Sequence, residues 1–142
     1  MSNPKRPQIE FLDHIAIVAA DMEQSARWYE EVLGLVRFQP EKWKPYPLMM
    51  HNHRGIGVAI FPVRGESEGK TAAGKARIGL YHYAFRVQKD PFDAFRQFFK
   101  REQIPFEYQN HHYFESLYLH DPDDNKVELT CFIPSSGVRL PI

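Results

Sequence analysis

Asp121-Pro122-Asp123-Asp124-Asn125-Lys126-Val127-Glu128-Leu129-Thr130 is a tight acidic turn that runs straight into an alternating strand. Pro122 presets φ for the turn, and Asp and Asn tolerate the backbone positions a turn demands. In the strand that follows, Val127 and Leu129 point one way and Glu128 and Thr130 the other. Glu128 is therefore a carboxylate in mid-strand, on the face opposite the apolar one. A lone Glu in that position is usually just solvated, so its meaning depends on what the rest of the chain brings to the same face.

Working outward, residues 105–110 and 115–120 read as the two strands before it, and 126–132 as the strand that carries Glu128. Earlier still, Tyr81-His82-Tyr83-Ala84-Phe85-Arg86-Val87 reads as a strand. Asp90 is an N-cap candidate with Pro91 at the first helical position, and Phe92, Phe95 and Phe99 form the stripe of the helix. The first half has the same plan. A strand over 11–18 precedes a helix with Asp21 as N-cap and Gln24 at its third position. Met22, Ala26, Tyr29 and Leu33 make its apolar stripe, Gly34 ends it, and strands follow at 35–39, 46–51 and 57–63.

The halves match at a fixed offset of 69 residues, pairing Asp21 with Asp90, Leu48 with Leu117, His51 with His120, Val58 with Val127 and Ile60 with Leu129. At an offset of 68, His14 pairs with His82, as a single insertion before the first helix requires. The predicted fold is α+β: two tandem βαβββ modules forming a curved mixed sheet, helices on the outer face and a metal-binding cleft on the other. The whole of 1–142 is one domain, with module one at about 9–63, a linker at 64–78, module two at about 79–132 and a C-terminal tail at 133–142.

The repeat also fixes directions. If Ile15, Ile17, Tyr83 and Phe85 face the helices, His14 and His82 face the cleft, and so does Glu128. Two imidazoles and one carboxylate suit a single divalent ion with open positions, Fe(II) or Mn(II) ahead of Zn(II). The repeat partner of Glu128 is Ala59, which cannot coordinate, so the expected set is three ligands. Arg86, four residues after His82, faces the same cleft and can hold a substrate carboxylate. A strand histidine is more often structural than ligating; two at equivalent repeat positions, with a carboxylate on the same face, reverse that expectation.

Asp13-His14-Ile15-Ala16-Ile17, His82-Tyr83-Ala84-Phe85-Arg86-Val87 and Leu117 through Leu129 resemble the vicinal oxygen chelate superfamily, over about residues 9–132. That group contains glyoxalase I, methylmalonyl-CoA epimerase, fosfomycin and bleomycin resistance proteins and extradiol dioxygenases. The resemblance implies paired modules, a divalent metal at His14, His82 and Glu128, small substrates that chelate through adjacent oxygens, and a homodimer. Glyoxalase I and the epimerase carry a ligand where Ala59 stands, and metal-free bleomycin binders lack the ligand set. Fosfomycin enzymes share the three ligands, and Ser116 fits their pattern as a substrate-binding residue, but Ala16 and about Gly137 stand where their Thr and Arg belong. Extradiol dioxygenases use the same triad with a Tyr ten residues before the Glu, where Tyr118 stands, and a preceding His, for which His112 or His111 serves. In that resemblance Tyr118 and His112 are the catalytic pair. The turn has Asp124 in place of the usual Gly. The reading is dioxygenase-like chemistry. Its rivals are a glyoxalase-like lyase, for which Zn(II) or Ni(II) would be the metal, a thiol or water transferase, and a non-catalytic sequestering protein.

Composition excludes other classes. Lys+Arg and Asp+Glu are both 18 in 142 residues, and a net charge of zero argues against nucleic acid or an anionic membrane as the main partner. One cysteine, Cys131, precludes an intrachain disulfide and, with no apolar signal or spanning run, suggests a cytoplasmic protein. Gly69-Lys70-Thr71 resembles a phosphate loop, but Gly65 is one residue too close for that spacing.

Overall fold

The computed structural model describes residue 7, residues 9–63 and residues 80–133. The expected linker at 64–78, with its Gly-Lys-Thr, the tail beyond residue 133 with Gly137, and nearly all of the arm at 1–8 lie outside the described residues. The elements run β1 (His14–Ala19), α1 (Met22–Leu33), β2 (Val36–Phe38), a 3-10 turn (Glu41–Trp43), β3 (Leu48–His51) and β4 (Gly57–Pro62). Then come β5 (Tyr83–Arg86), α2 (Lys89–Arg101), β6 (Glu107–Asn110), β7 (Phe114–His120) and β8 (Lys126–Phe132). This is the α+β plan of two βαβββ modules. The mixed sheet is built as two four-stranded sheets, ordered β1-β4-β3-β2 and β5-β8-β7-β6.

The duplication is visible strand by strand. In module one β1 runs parallel to β4, with His14 opposite Gly57 and Ala16 opposite Ala59. In module two β5 runs parallel to β8, with Ala84 opposite Glu128. Met49 pairs with Ala59 as Tyr118 pairs with Glu128, and Phe38 with Met49 as Glu107 with Tyr118. The offsets of 69 and 68 therefore relate whole ladders, not isolated residues.

Strand β1 hides one face. In β1, Ile17 and Ala19 are buried while His14, Ala16 and Val18 are exposed. The buried side meets Ala26, Tyr29, Val32 and Leu33 of α1, and its counterpart in module two meets Phe92 and Phe99 of α2, within one hydrophobic cluster. Full burial of a Phe or Leu side chain contributes about 1.5–3 kcal/mol, so the two phenylalanines alone anchor α2. Helix α1 begins as its sequence requires: Asp21 accepts the Gln24 N–H at 3.0 Å, and Gly34 ends the helix at φ 69°. Helix α2 begins earlier than expected. Gln88, not Asp90, is its N-cap, so Pro91 is the third residue of the helix. That N–H has no partner within a helix, so proline costs nothing there, and Asp90 lies in the first turn beside the positive end of the dipole.

The acidic turn does more than connect β7 to β8. Asp121, 4 % exposed, accepts the Asp123 and Asn125 N–H groups on one oxygen and the Asn125 amide on the other. The second oxygen also accepts Tyr29 O–H at 2.7 Å, from the middle of α1. Tyr29 in turn accepts a hydrogen bond from Tyr83 O–H at the start of β5. Asp123 accepts Ser25 O–H and the Ala20 N–H, both at 3.0 Å. Thus the loop leading into the Glu128 strand is fastened to the helix of the other module. Asp124 takes φ 66°, the left-handed position that a Gly would fill, and an aspartate tolerates it.

Candidate functional site

On the face of module two turned away from α2, His82 and Glu128 meet. His82 Nε2 lies 2.9 Å from Glu128 Oε2. The other carboxylate oxygen, Oε1, accepts Ser116 O–H at 2.5 Å. Strand alternation explains the arrangement: Ser116 and Tyr118 of β7 and Glu128 of β8 share a face, and Tyr118 is registered opposite Glu128. Glu128 is 8 % exposed and Ser116 fully buried, so the carboxylate has one oxygen held by Ser116 and the other against His82. His82 Nδ1 is buried without a hydrogen-bond partner among the described residues, so the ring makes its polar contact through the nitrogen aimed at Glu128.

Tyr118 completes the face. Its hydroxyl is 2.9 Å from His111 Nε2, its ring lies edge-on to His82 at 5.8 Å, and Lys126 Nζ sits 4.5 Å from the ring centroid. Burial pushes the phenol above the ordinary tyrosine range, and the Glu128 charge pushes the same way. The phenol therefore stays protonated at neutral pH.

The other expected site residues are placed as follows. His14 is at the exposed start of β1, with Nδ1 2.6 Å from Asp13 Oδ2. It lines a cavity of about 260 Å³ between β1 and β5 that His82 also lines, but it does not join the His82–Glu128 pair. Among the described residues no three His, Cys, Asp or Glu side chains converge as a metal site. Arg86 is exposed at the end of β5, opposite Thr130. His112 is exposed in the β6–β7 turn at φ 68°, its N–H bonded to Asn110 Oδ1; the histidine that reaches Tyr118 is His111. Ser116, expected to touch substrate, is fully buried, with its O–H on the Glu128 carboxylate.

Two residues on this face were not singled out from the sequence. Lys126 is two positions before Glu128, so the same alternation places it on the Glu128 face. Tyr81, 79 % exposed, stacks edge-on against His82 at 5.2 Å and lies under Lys126 Nζ at 5.0 Å. Neighbourhood to His82 was the only signal for it.

The donor set fits a divalent ion in part. Adjacent donors on an ion about 2.1 Å from each lie about 3 Å apart, as His82 Nε2 and Glu128 Oε2 do. The open third position has to be filled by a group the pair does not contain.

Comparison with known proteins places the fold. The model of the glyoxalase/bleomycin resistance protein/dioxygenase superfamily matches residues 11–129. A glutathione transferase, FosA of Serratia marcescens, is 23% identical over 132 residues, covering 93% of this chain and 86% of that protein. A glyoxalase/dioxygenase from Nostoc punctiforme superposes with a TM-score of 0.72 at 20% identity, over 94% of this chain and 99% of the other. A lactoylglutathione lyase from Agrobacterium tumefaciens gives 0.66 at 21% identity, over 89% and 96%.

Proposed function

Because the chain belongs to the glyoxalase/bleomycin resistance protein/dioxygenase superfamily, we propose that it is an enzyme that binds one divalent ion through His82, Glu128 and His14 and acts on a small oxygenated organic substrate by dioxygenase-like chemistry. The observation that carries this reading is the His82–Glu128 pair at 2.9 Å, with the second carboxylate oxygen already engaged by Ser116. Fe(II) or Mn(II) suits such a donor set, and when bound supplies a Lewis acid for substrate oxygens and, for iron, a redox partner for dioxygen.

The chain's own residues do the rest. Ser116 keeps Glu128 from rotating, so Oε2 and His82 Nε2 stay aimed at one point. Tyr118, kept protonated by burial and by Glu128, donates a hydrogen bond to a substrate oxygen in the cleft. When Tyr118 passes its proton to the substrate, His111 Nε2, 2.9 Å away, resupplies one to the phenol oxygen. The Lys126 ammonium favours negative charge as it develops beside Tyr118.

The third ligand comes from a second copy of the chain. Within one chain His14 is engaged by Asp13 and half exposed. Ile9, Phe11, Leu12, Leu80 and Tyr81 are exposed around the starts of β1 and β5, an apolar surface for such a contact. The test is complementation. His14→Ala and Glu128→Ala proteins should each be metal-poor and inactive, and refolding them together should restore metal and activity, because one shared site then keeps all its ligands. No recovery on mixing would overturn the shared site.

The similarity to a glutathione transferase supports a second reading, transfer of a thiol or water to a substrate on the same ion. Turnover that needs added thiol and ignores dioxygen would establish it in place of the first.

A further inference from the structure

The two modules repeat one another in backbone but not in chemistry. Positions that are polar on module two are apolar on module one: Glu128 corresponds to Ala59, Tyr118 to Met49, Thr130 to Phe61 and Glu107 to Phe38. The result on module one is a cavity of about 540 Å³, walled by Phe38, Trp43, Pro47, Met49, Ala59 and Phe61. Its volume lies within the range of small-molecule sites, roughly 300–1,000 Å³.

The walls are set in place. The rings of Phe38 and Trp43 meet edge to face at 5.4 Å, and Phe38 meets the His51 ring at 6.0 Å. Yet Phe38 and Trp43 remain 47 % and 39 % exposed, so each turns a large apolar surface toward the opening. No lysine or arginine lines the cavity among the described residues, and its polar rim is Asp13, His14 and His51. A phosphonate or the carboxylates of a glutathionyl group would lose water against these walls and meet no lysine or arginine there. A flat uncharged ring would lose only its hydrophobic hydration and gain stacking contacts.

From this we infer that module one holds the body of the substrate and that this body is an uncharged, flat, ring-containing group. The inference deepens the proposed function and rests on it for the chemistry: the ring lies against module one, and the oxygens it carries reach the ion at His14. Because His14 is both a rim residue of the cavity and a proposed ligand, the ring is delivered directly beside the reacting end. Ala59, lacking a side chain beyond Cβ, leaves the floor free where its counterpart Glu128 would project.

Calorimetric titration of the full-length protein tests this, with 2-naphthol as a neutral ring, 2,3-dihydroxynaphthalene as a chelating ring and methylphosphonate as a small anion. Metal-free wild type should bind one 2-naphthol per chain. Glu128→Gln should leave that affinity unchanged. Phe38→Glu and Trp43→Ala, both at half-exposed positions, should each weaken it by about tenfold or more, with unchanged circular dichroism. Methylphosphonate should not compete. With Mn(II) present, the diol should bind more tightly than 2-naphthol, and Glu128→Gln should remove that difference. Loss of the Mn(II) effect alone would sink the metal reading and leave the ring site standing. Binding of 2-naphthol indifferent to both wall variants, or displaced by methylphosphonate, would overturn the inference.

Discussion

Removing the Asp121 carboxylate should loosen the whole molecule. In Asp121→Ala, four donors lose their acceptor: Tyr29 O–H, the Asn125 amide and the N–H groups of Asp123 and Asn125. The two backbone groups sit in a turn where water can reach them. Tyr29 is fully buried, and among the described residues its hydroxyl keeps Tyr83 as its one partner. Hydrogen bonds to a charged group contribute about 1.5–3 kcal/mol each, and a stranded buried donor costs about 1–3 kcal/mol. Allowing for relaxation of the turn, a loss of roughly 4 kcal/mol follows, a large share of the ~5–15 kcal/mol typical of a domain. Urea unfolding followed by tryptophan fluorescence should show a lower midpoint at an unchanged m-value. Thermal unfolding should move down by more than about 10 °C. Paired with Tyr29→Phe in a double-mutant cycle, the two sites should couple by about 1–2 kcal/mol. A loss below about 1 kcal/mol, or additive single effects, would refute the claim that this carboxylate fastens the second module to α1.

Other expectations follow from the same geometry. Ser116→Ala should leave the fold intact but weaken Mn(II) binding by about 10–100-fold, measured by titration, because Glu128 is no longer held from below. Gly57→Ala should cost about 3 kcal/mol or more in urea unfolding, since the added Cβ would lie 1.8 Å from the Met50 carbonyl oxygen, a backbone atom that cannot step aside. Burial is the main cause that holds the Tyr29 and Tyr83 phenols above the ordinary tyrosine value. A raised folded pKa means that the native state keeps protons the unfolded state releases. That stabilisation is complete below about pH 10 and is lost as pH rises beyond it. Urea midpoints taken from pH 8 to 11, on the order of the phenol range, should decline at the upper end, and more shallowly in Tyr29→Phe.

Much of this was legible in the sequence because duplication leaves two independent records of one backbone. The offset linking Leu48 to Leu117 and Ile60 to Leu129 gave both halves the same order of elements, and the alternation around Glu128 gave its face. Asp21 and Gly34 marked α1 because their chemistry is local. What depends on tertiary placement was not legible. Ser116 read as a substrate contact because alternation gives its face but not its depth beneath Glu128. His111 and His112 are adjacent, and only the turn at φ 68° decides which ring reaches Tyr118. The start of α2 was misjudged because Asp90-Pro91 resembles a cap and first residue, whereas Pro91 is as well tolerated two positions later. His14 and His82 were expected on one surface with Glu128; the strands deliver His82 to it, and His14 to the rim of the other module.

The most direct measurement is the metal stoichiometry of protein purified and titrated without oxygen, by Mn(II) electron paramagnetic resonance, for wild type and for Glu128→Ala. One tightly held ion per chain in wild type, absent from the folded variant, is the expected result. Equal binding by both proteins, or none by wild type, would contradict the assignment of Glu128 and His82 as ligands.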